Sequence, residues 1–403
     1  MALPFFAYSG FLFLFFIIFI PSGKIIWGSY AALVIPLSAR YLPNYWDSVK
    51  QSFLFKWILV YLGYLLLSAF WSPVFDLREF IYRVGGALTM AHFVLLTAGL
   101  KTAFPDRFDR LLSGLCPWVG AIALLVITLW YSDHPFPTSR MEGFGYLTHP
   151  IRSSAAFGVF ALIAWQALYH YRVIWLRLLF FSVFIVILAY LSVSWTRTVL
   201  IALFASVIAM LVLKRHRIPL FLMLGLILLV ATILWWLPDF SDNLLRAMPY
   251  RRLIWMDALE KALQHPWFGS GFLADTSGTL VLSNGQPYRY GDAHSFFIAN
   301  FRDGGVVGLS LALTMLGLAL YVTLQAGRES GRYLHLALII YGIICVTPNE
   351  WELLTGTKEG WMFFWLPLGL AVSDEIKLKR LNYPSNKPLI RLTTLGKSSV
   401  SSP

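Results

Sequence analysis

The chain alternates long apolar runs with short polar connections almost from end to end. Runs of roughly twenty apolar residues have the length that a helix needs to cross about 30 Å of hydrocarbon. They lack the alternation of strands, and lipid admits only helices or closed barrels. We predict an all-α polytopic membrane protein of about twelve transmembrane helices. The predicted spans are 4–20, 25–42, 53–71, 84–100, 111–130, 154–170, 174–193, 198–213, 218–237, 296–325, 333–347 and 361–373.

One long connection, 238–295, separates the ninth predicted helix from the tenth. It is too rich in Trp, Phe and Tyr for a flexible linker, and loops of this length are usually functional. Within it, the segment RRLIWMDALEKALQ (251–264) has apolar residues along one helical face. This pattern predicts an amphipathic helix at the membrane interface, ended by Pro266.

The remaining organisation is simple. Residues 1–373 form one predicted transmembrane domain, and the first span lacks the basic start and the cleavage site of a signal peptide. Residues 374–403 are rich in Lys, Ser and Pro, and we predict a basic, disordered cytoplasmic tail.

Charge placement sets the orientation. With twelve spans, the connections on one side hold 19 of the 32 Lys and Arg residues but only 6 of the 20 acids. The positive-inside rule therefore predicts cytoplasmic termini and an external 238–295 loop. The net charge of +12 reflects this topology, and no basic cluster with stacking aromatic residues suggests nucleic-acid binding.

Metal and disulfide chemistry find little support. Cys116 and Cys345 lie in apolar spans, where buried thiols are the rule. The nearest approaches to an external metal site are the pairs 239/242 and 350/352, which are isolated acids without a ligand set. We predict neither metal nor cofactor.

Three polar elements on the external side are candidates for chemistry. Arg197 lies between two apolar runs, and it either snorkels to lipid phosphate or binds a substrate. Arg251 and Arg252 begin the amphipathic helix, where the helix dipole opposes cations, so they are either solvated or face an anion. His294 opens the next helix, and it is either a structural hydrogen-bonding residue or a general base.

In their order along the chain, these elements resemble the O-antigen ligase family, which shares its fold with O-antigen polymerases and bacterial O-oligosaccharyltransferases. The matching features are Thr196-Arg197, Arg251 four residues before Trp255, the turn Pro266-x-x-Gly269-x-Gly271, and His294 followed by Gly304, Gly305 and Gly308. A weaker match is Arg140 with Gly143, and Ser295 replaces the Asn that usually follows the family's His. Each motif alone is unspecific, and their order over most of the chain carries the resemblance.

The resemblance implies a GT-C-like glycosyltransferase of the bacterial inner membrane with a periplasmic active site. Its donor would be an O-antigen polysaccharide on undecaprenyl diphosphate, and its acceptor a sugar hydroxyl of lipid A–core. The reaction would be inverting and independent of metal, and the enzyme a monomer or weak oligomer in membrane lipid. His294 would be the base, and Arg197 and Arg251 would bind the diphosphate. Arg140, Arg252, His149 and Arg152 are candidates for further substrate contacts.

Two alternatives remain at this point. An O-antigen polymerase of the same fold would use the same donor with a second lipid-linked glycan as acceptor. A secondary transporter would be a different class of protein, and it should show repeated halves with Gly- or Pro-broken central helices. The sequence shows no such repeat.

Overall fold

The computed structural model describes residues 23–39, 41–136, 139–143, 148–236, 238–281, 286–348 and 360–382. Within these ranges the chain is helical except for one two-stranded hairpin. The helices are α1 Gly23–Ser29, α2 Ile35–Ala39, α3 Leu42–Val49, α4 Phe53–Ser68, α5 Leu77–Ala103, α6 Pro105–Asp133, α7 Pro150–His170, α8 Ile174–Val193, α9 Arg197–Leu213, α10 Arg217–Trp236, α11 Pro238–Leu263, α12 Phe296–Ser330, α13 Leu334–Val346 and α14 Leu366–Asn382. Two π-helical turns, Tyr30–Val34 and Trp361–Trp365, join α1 to α2 and lead into α14, and the 3-10 turn Ala69–Trp71 follows α4.

The predicted spans from 25–42 onward each coincide with helix, and 174–193 matches the bounds of α8. The first span, 4–20, lies outside the described residues. Among the helices that the structure describes, six are long and apolar enough to cross a membrane: α4 with its 3-10 turn, α5, α6, α7, α8 and α12. Shorter apolar helices include α9 and α13. The chain is thus a helical protein with several candidate membrane spans, while the total of twelve and the GT-C arrangement stay predictions.

Helix α7 lies at the centre of the bundle. In an apolar 18-residue segment of α7, 78% of the residues are buried, against 39–44% in the corresponding segments of the other five long helices. It packs against α6, α8, α9 and α13. Small residues allow these close contacts, because a Cβ on Gly158 would stand 2.1 Å from the Tyr341 hydroxyl oxygen.

The described part of the 238–295 connection contains more regular secondary structure than the sequence predicts, and the predicted helix at 251–264 falls largely within the longer α11. The prediction placed this helix at 251–264, from its apolar stripe. The structure instead continues α11 back to Pro238. The all-α prediction also missed an antiparallel hairpin of strands β1 (Gly278–Val281) and β2 (Pro287–Tyr290).

The strands of this hairpin are too short for the sequence to show a clear period of two. Contacts with α11, which is distant in the sequence, hold the hairpin in place. Tyr290 donates a hydrogen bond to the Asp257 carboxylate. Lys261 bridges the same carboxylate at 2.9 Å and the Tyr290 hydroxyl at 3.1 Å. The polar face of α11, which the sequence pattern leaves to solvent, therefore holds the hairpin.

The predicted boundary of the tail at residue 373 is also wrong, because α14 continues to Asn382. His335 contacts Asp374 at 2.8 Å. Glu375 accepts hydrogen bonds from Ser52 Oγ at 2.6 Å and from the backbone N–H of Phe53 at 2.8 Å, so it caps the start of α4. These contacts hold the helix beyond the apolar run, and residues 383–403 lie outside the described part of the chain.

Helix α12 is broken at Gly305, where φ is 63° and ψ is −161°. The backbone groups released by this break bond to the turn that follows α11. Val306 N–H donates to Pro266 O at 2.8 Å, and Gly271 N–H donates to Asp303 O at 3.0 Å. The fit is tight enough that a Cβ on Gly305 would lie 2.3 Å from the backbone of Trp267. The motif Pro-x-x-Gly-x-Gly is therefore a docking turn for the broken helix.

Candidate active site

A buried cluster of hydroxyl groups presents Arg197. Ser154 of α7 lies 2.7 Å from Ser194, and Ser194 lies 3.1 Å from Thr196, oxygen to oxygen, with all three residues buried. Between them, Trp195 adopts a left-handed conformation with φ of 53°, which a non-glycine residue adopts only when its surroundings enforce it. The turn directs the chain so that the half-buried Arg197 is the first residue of α9.

The segment 139–143 lies against this turn. Met141 N–H donates to Val193 O at 3.1 Å, and Arg140 Nε donates to Ser194 O at 3.0 Å. Arg140 is thereby close enough to Arg197 for the two guanidinium groups to repel each other.

Arg251 of α11 completes a group of three arginines. It repels both Arg140 and Arg197, and it is half-buried, whereas its neighbour Arg252 is exposed. Desolvation lowers the pKa of Arg251, and desolvation together with the repulsion of Arg251 lowers that of Arg140. We call Arg140, Arg197 and Arg251 the arginine cluster. Helix ends and loops from three parts of the chain hold these like charges together, which favours a multiply charged anion at this place.

His294 is fixed in a strained turn immediately before α12. Its φ is 46°, and its backbone N–H donates to Asp292 Oδ1 at 2.8 Å. The His294 carbonyl accepts a hydrogen bond at 3.2 Å from Trp255 Nε1, which lies one helical turn beyond Arg251 on α11. Because Arg251 and Trp255 lie one helical turn apart on α11, this hydrogen bond connects the helix of the arginine cluster to His294.

Asp292 orients the imidazole of His294. His294 Nδ1 lies 2.8 Å from Asp292 Oδ1. Burial raises the pKa of Asp292, but hydrogen bonds from His294 outweigh burial and the net pKa lies below the usual range. The carboxylate is therefore ionised and can only accept, so the proton of the neutral ring is on Nδ1 and the lone pair is on Nε2. The sequence analysis did not select Asp292, although its position two residues before His294 indicated a partner for the imidazole.

His149 is electrostatically linked to both groups. Its ring interacts with Arg140 and Arg152 and also with His294. Its Nδ1 accepts from Ile151 N–H at 3.3 Å and so caps α7. Desolvation and the neighbouring arginines lower its pKa, so the ring is neutral at pH 7 and offers hydrogen bonds rather than charge.

The structure therefore brings together six of the seven residues that the sequence singled out, with Arg152 in the exposed first turn of α7. Arg252, the neighbour of Arg251 on α11, is exposed. Cys116 and Cys345 are both buried, as predicted. Within the described ranges, no three His, Cys, Asp or Glu residues are placed to hold a metal ion.

Comparison with known proteins agrees with the motifs. No family model matches the chain. The chain is 25% identical over 321 residues to an O-antigen ligase from Pseudomonas aeruginosa (strain PAO1), and the alignment covers 79% of this chain and 76% of that protein. The similarity therefore extends over most of both proteins, and it confirms the resemblance of this chain to the O-antigen ligase family.

Proposed function

We propose that this protein is an inverting glycosyltransferase that moves O-antigen polysaccharide from undecaprenyl diphosphate to a sugar hydroxyl of lipid A–core at the periplasmic face of the inner membrane. The observation that carries this proposal is the 3.2 Å hydrogen bond from Trp255 Nε1 to the His294 carbonyl, which holds the helix of Arg251 against the turn of His294. His149 interacts electrostatically with both Arg140 and His294, which supports a single site for the arginines and the base.

The arginine cluster suits the diphosphate of the donor. Guanidinium groups present forked N–H donors that match phosphate oxygens better than an ammonium does. The first N–H groups of α9 lie beside Arg197 and add the positive end of a helix dipole. As the bond between the anomeric carbon and the diphosphate breaks, the negative charge grows on the oxygen nearest these donors. Stabilising that charge lowers the barrier, and one such donor is typically worth about 3–4 kcal/mol.

His294 suits the acceptor. Its Nε2 takes the proton from the sugar hydroxyl while that oxygen attacks the anomeric carbon from the face opposite the diphosphate. The new glycosidic bond forms, the bond to the diphosphate breaks with its electron pair, and the configuration inverts. Asp292 then stabilises the imidazolium across the 2.8 Å contact at Nδ1.

The broken helix α12 would also suit a transporter, whose discontinuous helices leave backbone groups free for a substrate. Here the released groups are bonded to the turn after α11 instead, as in Ser270 N–H to Arg302 O at 2.8 Å. This observation favours an enzyme whose broken helix positions the active-site loop.

The test uses purified full-length protein in detergent with undecaprenyl-linked glycan and lipid A–core, where no gradient can drive transport. Wild type should form glycosylated core. His294→Ala should reduce transfer by roughly 10²–10⁴-fold, as expected for a lost general base, and should retain donor binding.

Several outcomes would contradict the proposal. Transfer by His294→Ala at the wild-type rate would leave the residue a structural role. Extension of a second lipid-linked glycan, in place of the core, would identify a polymerase. Absence of any transfer by folded wild type would refute the glycosyltransferase assignment.

A further inference from the structure

A polar cavity lies at the end of the bundle opposite His294. Its volume is about 400 Å³. The ends of α5, α7 and α12 and the beginnings of α6 and α13 line it, and α14 closes it. Along α12, Gly305 near the active site and Ala326 at the cavity are separated by roughly 30 Å, from a rise of about 1.5 Å per residue. The cavity is therefore separate from the site described above.

Its lining is rich in cations. The basic residues are Lys101, Arg110, Arg332, Lys377 and Arg380, against three aspartates. Two of these aspartates already have cationic or imidazole partners. Asp109 is bridged by Lys101 and lies 4.0 Å from Arg332, and Asp374 lies 2.8 Å from His335.

Arg380 distinguishes this cavity from an ordinary basic surface. Its Nε and Nη2 atoms are buried and contact no acceptor in the described part of the chain. The hydroxyl of Thr102, also in the lining, is likewise buried without a hydrogen-bond partner among those residues. Buried donors left unbonded cost free energy, and those of a charged group cost the most. Both side chains can therefore donate hydrogen bonds to oxygen atoms of a ligand.

The rest of the lining is apolar, with Leu112, Ile163 and Leu334 beside the polar groups. An apolar wall next to buried guanidinium donors matches a phosphate that carries a hydrocarbon portion. Basic cavities between helix ends are known to accommodate anionic lipid headgroups. We propose that this cavity binds a phosphate group, supplied by the headgroup of an anionic phospholipid, with Arg380 and Thr102 as its hydrogen-bond donors.

The experiment measures binding to the full-length protein in a neutral detergent. The probes are dioleoyl phosphatidylglycerol, dioleoyl phosphatidylcholine and inorganic phosphate, each titrated against the thermal midpoint of unfolding, with bound lipid counted by native mass spectrometry. The variants are Arg380→Gln and Thr102→Val, with Arg328→Gln as the control. Arg328 is exposed at the end of α12, on the same side of the bundle, but does not line the cavity.

Phosphatidylglycerol should raise the thermal midpoint of wild type and of Arg328→Gln. Phosphatidylcholine should have little effect on either protein. Arg380→Gln should weaken phosphatidylglycerol binding about tenfold or more, the usual consequence of a lost hydrogen bond to a charged group. Thr102→Val should weaken it by a smaller factor. Stabilisation by inorganic phosphate with the same dependence on Arg380 would support a phosphate site but assign it to a soluble ligand.

Equal binding by wild type and all three variants would overturn the proposal and reduce the effect to general attraction by basic residues. If Arg380→Gln does not fold, unchanged binding by a folded Thr102→Val would overturn it equally. Transfer activity plays no part in these measurements, so the result is independent of the proposed function.

Discussion

At the scale of single residues, the site contains residues whose backbone conformation or charge placement is unfavourable by itself. Trp195 and His294 both adopt left-handed backbone conformations. Arg197 is a cation at the positive end of a helix, where the dipole opposes it. The surrounding hydrogen bonds offset these costs, as those that His294 donates to Asp292 do. Such concentrations of strain are typical of sites that are organised before the substrate arrives.

The two adjacent arginines of α11 offer a matched comparison. Arg251→Ala should reduce glycan transfer by roughly 10²–10³-fold, since one donor to the developing charge is lost. Arg252→Ala should stay close to wild type because Arg252 is exposed. Arg251→Lys should recover little, because an ammonium lacks the fork. Initial rates with purified protein would decide, and an inactive Arg252→Ala beside an active Arg251→Ala would reverse the assignment.

Asp292 offers a test by isosteric replacement. Its pKa lies below the usual range, so its carboxylate stays ionised at the pH values where the enzyme would work. A carboxylate stabilises the imidazolium that forms during transfer, and a neutral amide does not. Asp292→Asn should therefore lower kcat while donor binding and the thermal midpoint are retained. A parallel loss of donor binding or of the thermal midpoint would give Asp292 only a role in folding.

At the scale of elements, the break in α12 and the turn after α11 act as a single unit. The turn bonds to backbone on both sides of Gly305, and Tyr64 of α4 adds a 2.6 Å hydrogen bond to Gly304 O. Because α11 carries Arg251 and α12 begins after His294, this unit fixes the arginine cluster relative to the base.

Glycine replacements within α12 test this role. Gly305→Ala should destabilise the protein and reduce transfer, because its backbone conformation is accessible essentially to glycine alone and its Cβ would meet Trp267 at 2.3 Å. Gly317→Ala in the same helix has open space, and it should be neutral or stabilising by about 0.5–1 kcal/mol. Thermal unfolding of both purified variants is the measurement. Equal midpoints would show that the break is not required.

Sequence patterns predicted the features that depend on local order. The apolar run 174–193 was enough to define α8, and the motif order was enough to select Arg197, Arg251 and His294. The hairpin, the extension of α14 and the packing of the Pro-x-x-Gly-x-Gly turn on α12 could not be predicted, because each depends on contacts between distant residues. Asp374 illustrates this, since its partner His335 lies 39 residues away in the sequence.

At the scale of the whole molecule, the two polar sites lie at opposite ends of one helical bundle. The arginine cluster and His294 lie near the beginnings of α7, α9 and α12, and the phosphate cavity lies near the ends of α7 and α12. In a membrane, these ends would face opposite sides of the lipid bilayer. The positive-inside rule predicts that the active site is external.

Cysteine labelling tests this orientation. Cys116 and Cys345 are buried, so wild type should not react with a membrane-impermeant maleimide. Thr279→Cys in the exposed hairpin should be labelled in intact spheroplasts, and Arg172→Cys between α7 and α8 only after permeabilisation. The reverse pattern would invert the topology and exclude a periplasmic reaction.

The mutual repulsion within the arginine cluster has a consequence for turnover. The proposed transfer would convert a glycosyl diphosphate into free undecaprenyl diphosphate, whose newly exposed terminal phosphate would carry additional negative charge. A site that places three guanidinium groups together should bind this spent carrier more tightly than it binds the donor. We therefore expect product inhibition: initial rates should fall as undecaprenyl diphosphate is added, and a phosphatase that removes its terminal phosphate should restore them. Under the proposed function, removal of the carrier lipid would then be a step that limits turnover.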